Sequence, residues 1–156
     1  MLAEKCKVAV FVSGGGTNLQ AILDSRGEII KNAEICLVAS NNKDAYALER
    51  AKKHDIETFI IEDEQRLVKK LKSLEIDFIV LAGYLRILSE DFCKLYSNRM
   101  INVHPSLIPS FCGKGFYGLK VHEKALEYGV KVSGATVHFV NEIPDGGKII
   151  DQKAVR

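Results

Sequence analysis

Three short segments carry residue types and spacings able to do chemistry. The first is Ser13-Gly14-Gly15-Gly16-Thr17-Asn18, placed directly after an apolar run. Consecutive glycines let backbone N–H groups converge on an anion, and a helix starting there presents its positive dipole end. A phosphate is the natural guest. The segment lacks the Gly-Lys-Ser/Thr ending of a Walker loop, and a dinucleotide fingerprint begun at Gly14 finds Leu19 where its third glycine belongs. One phosphate, not a pyrophosphate, is expected; a tight turn without a ligand is the alternative.

The second segment is Asn102-Val103-His104-Pro105. Asn102 and His104 are two apart, so on an extended strand both side chains point to one side. An amide donor beside an imidazole suits stabilisation of an oxyanion. Pro105 keeps His104 out of the helical region and so fixes its presentation. A structural histidine at a strand end is the competing reading. The third segment is Asp145-Gly146-Gly147, whose glycines permit unusual backbone angles and close approach of a ligand. Pro144-Asp145-Gly146 would equally serve a plain hairpin turn. His138 alternates with Val137 and Phe139, so it faces either the sheet interior or the cleft; His54, at a helix end, is expected to face solvent, and His122 has no assigned role.

These segments need rigid elements to hold them, and the hydrophobic pattern supplies strands and helices in alternation. Lys7–Val12 is nearly continuous in apolar residues, as suits a strand buried on both faces. The pattern predicts a helix over Thr17–Lys31, a strand over Glu34–Ala39, and a helix over Ala45–His54 with Asp44 as its N-cap. It then predicts a strand over Thr58–Ile61, an amphipathic helix over Glu64–Leu74, and a strand over Asp77–Ala82. Ser89 caps a helix carrying Phe92, Cys93 and Tyr96, and Met100–Val103 is a fifth strand. After the irregular stretch His104–Gly118 come a helix over Val121–Tyr128 ended by Gly129, then strands over Ala135–Val140 and Lys148–Val155. Strand alternating with helix implies an α/β fold: a Rossmann-like open, mostly parallel sheet with helices on both faces. Such sheets bind ligands outside the carboxyl ends of their strands, where the glycine loop and the Asn102–His104 pair lie. The segment after the fourth strand, Gly83 to Leu88, either lines a pocket wall there or packs on the core as a helix lead-in.

Composition narrows the class. The 156 residues fit one domain, with 47% hydrophobic and 27% charged residues, the profile of a globular protein. Lys plus Arg number 22 against 20 Asp plus Glu, and no basic stripe of the kind nucleic acid needs is visible. No apolar run approaches the roughly 18 residues of a membrane span, and the N-terminus lacks the pattern of a secretory signal, so a cytoplasmic address is expected. Cys6, Cys36, Cys93 and Cys112 show no metal-finger spacing and are read as reduced and structural; Cys112 has no activating base beside it.

Taken in order, SGGGTNLQAI, LAGYLRILS, INVHPSLIP and GATVHFVNEIPDGGKII resemble the folate-dependent phosphoribosylglycinamide formyltransferases, over almost the whole chain. The resemblance implies the formyltransferase fold and transfer of a formyl group from 10-formyltetrahydrofolate, as co-substrate and without a metal, to the amino group of glycinamide ribonucleotide. It puts the catalytic trio on Asn102, His104 and Asp145, and the ribonucleotide phosphate on Gly14, Gly15, Gly16, Thr17 and Asn18. Leu85, Arg86, Ile87, Leu88, Val140, Asn141, Glu142 and Ile143 would wall the folate pocket, with Thr136 and His138 close to the site. In the implied chemistry Asn102 and protonated His104 donate to the formyl oxygen, while Asp145 holds His104 charged and organises a proton-relaying water.

Partners would be small molecules, with neither nucleic acid nor membrane, and the protein a monomer or homodimer. The expectation is a single catalytic domain over residues 1–156, without the further strand and C-terminal helix usual in the family, and with a Phe111–Gly118 loop longer than in some relatives. Two relatives share the core. Formyltetrahydrofolate deformylase carries an N-terminal regulatory domain, and methionyl-tRNA formyltransferase a C-terminal RNA-binding domain. A phosphate-binding module without turnover is the non-enzyme alternative.

Overall fold

The computed structural model describes residues 4–156. The chain forms two compact units, the first running to Arg86 and the second from Ile87 to Arg156. The first unit holds β1 (Cys6–Val12), α1 (Thr17–Asp24), β2 (Ala33–Ser40), α2 (Tyr46–Lys53), β3 (Glu57–Ile60), α3 (Glu64–Ser73) and β4 (Phe78–Leu81). β1 lies between β2 and β4, β3 flanks β2, and every pairing is parallel. Helical crossovers between successive strands are what make parallel pairing possible.

Both faces of β1 and of the central part of β2 are covered. Val8, Val10 and Val12 point to one side and pack with Leu19 and Leu23 of α1 and with Ala47, Leu48 and Ala51 of α2. Ala9 and Phe11, which point to the other side, are just as fully buried, as are Leu37, Ala39 and Ile79. Alternate residues buried alike explain why β1 reads as an unbroken apolar run instead of an alternating one. α3 buries Leu67 and Leu71, four apart on one stripe, and Asp63 caps it by accepting the Arg66 N–H at 2.8 Å.

The second unit holds α4 (Glu90–Leu95), β5 (Met100–His104), α5 (Leu119–Tyr128), β6 (Ser133–Phe139) and β7 (Ile149–Val155). Here the pairings β5–β6 and β6–β7 are antiparallel. Ser89 caps α4 through the Phe92 N–H, and Gly129 in the left-handed region ends α5, both as the sequence predicts. The α/β class and the mostly parallel arrangement of strands agree with the pattern of the sequence. No helix among the described residues is long and apolar enough to cross a membrane.

Two elements differ from expectation. α1 stops at Asp24 instead of Lys31, because the Ser25 hydroxyl takes the Ala21 carbonyl and the chain opens into a bridge pairing Arg26 with Ile30. Gly27 turns that bridge at φ +83°, and Ile29, inside the range expected to be helical, is left 81% exposed. At α2 the cap position is held by Ala45 in extended conformation, not by Asp44. Asn42 makes the turn instead, accepting the Asp44 N–H on its own side chain at 3.0 Å.

Leu71 is fully buried on α3. Leu71→Ala is expected to lower the unfolding free energy by about 2–5 kcal/mol, read as a lower urea midpoint with an unchanged slope. A loss below about 1 kcal/mol would mean that the site collapses around the missing atoms.

Candidate active site

In the first unit the glycine loop lies between the end of β1 and the start of α1. Each glycine brings a carbonyl as well as an N–H, and an anion site must turn the carbonyls away. The Gly14 carbonyl accepts the Ala47 N–H of α2 at 3.1 Å, the Gly15 carbonyl accepts Arg50 Nε at 2.7 Å, and the Gly16 carbonyl accepts the Gln20 N–H of α1 at 2.9 Å. Among the described residues, the N–H groups of Gly15, Gly16 and Thr17 have no partner in the chain. They sit at the positive end of α1, the arrangement a phosphate requires. Gly16 has no substitute here. Its φ is +78°, and a Cβ would meet the Ala47 Cβ at 2.6 Å.

Ser13, just before the loop, donates its hydroxyl to Asn41 Oδ1 at 2.6 Å and accepts the Leu85 N–H at 2.9 Å. It thereby joins the ends of β1, β2 and β4. Beyond β4, Tyr84 turns inward edge-on to Phe11, with burial pushing its hydroxyl up to about 12, while the neighbouring Leu85 is 54% exposed. The expected folate contacts divide between the units: Leu85 and Arg86 belong to the first, and Ile87, Leu88 and Val140, Asn141, Glu142 and Ile143 to the second.

The expected catalytic residues all lie in the second unit. β5 and β6 pair so that Asn102 faces His138 and His104 faces Thr136. The four side chains share one side of the ladder, which answers the open question of which way His138 points. His104 is 4% exposed and His138 2%, so their polar atoms must be satisfied from within. Nε2 of His104 lies 2.8 Å from the Phe111 carbonyl, and its Nδ1 lies 3.4 Å from Asp145 Oδ1. Both ring nitrogens face acceptors, and only the imidazolium can donate to both. His138 Nδ1 lies 2.8 Å from the Phe139 carbonyl, so that nitrogen carries a proton. Its Nε2 lies 3.2 Å from Asn102 Nδ2 and 3.6 Å from the same Asp145 Oδ1.

Asp145 reaches this cluster from the β6–β7 connection. The Gly146 N–H bonds the Ile143 carbonyl at 2.9 Å, which makes Ile143–Gly146 a turn with Pro144 second and Asp145 third. Asp145, not either glycine after it, adopts the positive φ, +54°. The two glycines serve close approach instead: a Cβ at Gly147 would collide with the Phe139 carbonyl, and one at Gly146 would strike Ile143. Burial alone would push the Asp145 carboxyl up. Hydrogen bonding to His138, the Gly113 N–H at 2.9 Å on Oδ2, and the charges of His104 and His138 outweigh burial and hold it below its ordinary value.

Thr136 plays a different part from the other three. Its buried hydroxyl donates to the Ser106 carbonyl at 2.7 Å and accepts from the Ile108 N–H and from Gln152 Nε2, bracing the segment after β5. Phe111 holds its carbonyl toward His104 from a φ of +49°, with its ring against Phe116 and Tyr128. The Phe111 carbonyl and the Gly113 N–H are the site groups that residue types did not reveal. The Cys112 thiol, half-buried beside them, is pushed up by burial and by the Asp145 charge, the opposite of a nucleophile's need. His54, expected to face solvent, is half-buried at the end of α2, and its Nδ1 lies 2.9 Å from Arg26 Nη2, linking the ends of α2 and α1.

The fold favours ionised Asp145, so its folded pKa lies below the unfolded one. The stability this supplies is complete above about pH 4 and is lost as pH falls through the lowered folded value. Asp145→Asn should therefore lower the urea midpoint at pH 7, with the gap to wild type closing as pH is taken below about 4. A gap that stays constant into the acid range would contradict this electrostatic account.

The chain matches the formyl transferase family model over residues 6–156. It is 41% identical to phosphoribosylglycinamide formyltransferase of Haemophilus influenzae, the match covering 96% of this chain and 72% of that protein. It is 39% identical to the chloroplastic phosphoribosylglycinamide formyltransferase of Arabidopsis thaliana over 96% of its own length, spanning 55% of that relative. Among solved structures, that of phosphoribosylglycinamide formyltransferase from Anaplasma phagocytophilum superposes with a TM-score of 0.89 at 36% identity, covering 97% of this chain and 72% of that one. A formyltetrahydrofolate deformylase from Pseudomonas syringae superposes with a TM-score of 0.85 at 30% identity, covering 99% of this chain and 52% of that one. The chain belongs to the formyl transferase family, in its phosphoribosylglycinamide formyltransferase branch.

Proposed function

We propose that this chain transfers the formyl group of 10-formyltetrahydrofolate to the amino group of glycinamide ribonucleotide, a step of de novo purine biosynthesis. The observation that carries the reading is the convergence of His104 and His138 on the Asp145 carboxylate, with Asn102 against His138. The glycine loop, its carbonyls tied back, supplies the matching site for the ribonucleotide phosphate. The setting is the cytoplasm, with small molecules as the only substrates and the protein acting as monomer or homodimer.

In the reaction the acceptor amine attacks the formyl carbon, a C–N bond forms, and negative charge gathers on the formyl oxygen. Asn102 Nδ2 carries two hydrogens. Nδ2 lies beside the His138 ring, and at least one of these hydrogens is left for that oxygen. His104, its ring nitrogens facing the Asp145 carboxylate and the Phe111 carbonyl, stabilises the charge as the imidazolium that can donate to both. Its Nε2–H is engaged by the Phe111 carbonyl, so direct donation to the formyl oxygen, as the sequence suggested, requires exchanging that partner. The bond from the formyl carbon to the folate nitrogen then breaks. The proton lost by the amine reaches that leaving nitrogen through a water held by Asp145.

Hydrolysis of the same donor is the competing reading, favoured by the likeness to the deformylase. Following folate product with and without glycinamide ribonucleotide separates the two. Product that forms only with the ribonucleotide is the expected result, and product formed equally without it overturns the transferase assignment. Asn102→Ala should lower kcat by about 10²–10³, the loss that follows removal of one oxyanion donor. A kcat within tenfold of wild type would remove Asn102 from that role.

A further inference from the structure

We propose that Arg50 is a positioning residue of the anion site, holding the glycine loop in the conformation that accepts the acceptor's phosphate. The inference rests on the reading of the loop given above and extends it to α2, an element outside the loop and outside the catalytic cluster. Three loop carbonyls must face away from a phosphate for three N–H groups to face it. Ala47 and Gln20 hold Gly14 and Gly16 through backbone N–H groups, which any residue supplies. The Gly15 carbonyl is the one held by a side chain, Arg50 Nε at 2.7 Å.

Arg50 is placed for this by contacts on several sides. Its Nη1 donates to Gln20 Oε1 at 3.1 Å on the first turns of α1, so one planar fork spans the loop and the helix it feeds. Its guanidinium carbon stands 5.0 Å from the centroid of Tyr46, one turn earlier on α2. Its Cδ, with Ala47, fills the space that a Cβ on Gly16 would need. Among the described residues no carboxylate pairs with the guanidinium, so its positive charge adds to the α1 dipole behind the loop. Lysine, a point donor on a flexible stem, cannot make both bonds in one plane.

Steady-state kinetics of Arg50→Met and Arg50→Lys, with binding of ribose 5-phosphate measured calorimetrically, test the assignment. Arg50→Met should raise the KM for glycinamide ribonucleotide and weaken ribose 5-phosphate binding by at least about tenfold, the effect of losing one charge-assisted hydrogen bond. The KM for 10-formyltetrahydrofolate, kcat at saturating acceptor, and the thermal midpoint should stay close to wild type. Arg50→Lys should recover only part of the loss. Parallel loss in kcat and both KM values would show a merely structural role, and unchanged ribonucleotide KM would show none; either overturns the proposal. Failure of the wild-type protein to bind ribose 5-phosphate would instead overturn the phosphate reading of the loop, and Arg50's role with it.

Discussion

Asp145 sits where a carboxylate would be too costly to keep ionised without help, and the help it receives organises the second unit. Oδ2 takes the Gly113 N–H and Oδ1 faces both His104 and His138. Removing a charge from water costs several kcal/mol unless partners compensate, so this geometry constrains everything around it. The Gly113 bond ties the segment after β5 to the β6–β7 turn. The two histidines are in turn fixed from behind by the Phe111 and Phe139 carbonyls. Thr136, unable to join the charge network, braces the same segment through Ser106 and Ile108.

A similar accounting governs the glycine loop of the first unit. Backbone carbonyls need donors, and α1 and α2 supply one for each glycine of the triplet. What remains is a row of N–H groups with no partner among the described residues. In both units the chemistry follows from where backbone polar groups are satisfied as much as from the side chains that motifs name.

That distinction also marks how far the sequence could be read. Val8 to Val12 could be assigned to a buried strand because an unbroken apolar run has few other uses, and Ser89 and Gly129 are local signals that act locally. Asn102 and His104 were legible as a pair from strand spacing, and Asp145 from its turn. The Phe111 carbonyl and Gly113 N–H were not, since backbone groups have no residue signature. Arg50 was hidden in another way: on α2 it reads as one more charge on a solvated face, and only tertiary packing brings it to Gly15. The early end of α1 shows local chemistry overriding periodicity, with Ile22 and Ile29 at helical spacing but Ser25 and Gly27 breaking the run.

His104 and Asp145 form one electrostatic unit. The most direct test is a double-mutant cycle in kcat/KM with His104→Ala, Asp145→Asn and the two combined. Residues that act as a unit are strongly non-additive, so the double variant should lose no more than the worse single variant. Losses that multiply would show two independent contributions, and the shared carboxylate would then not be the centre of the site.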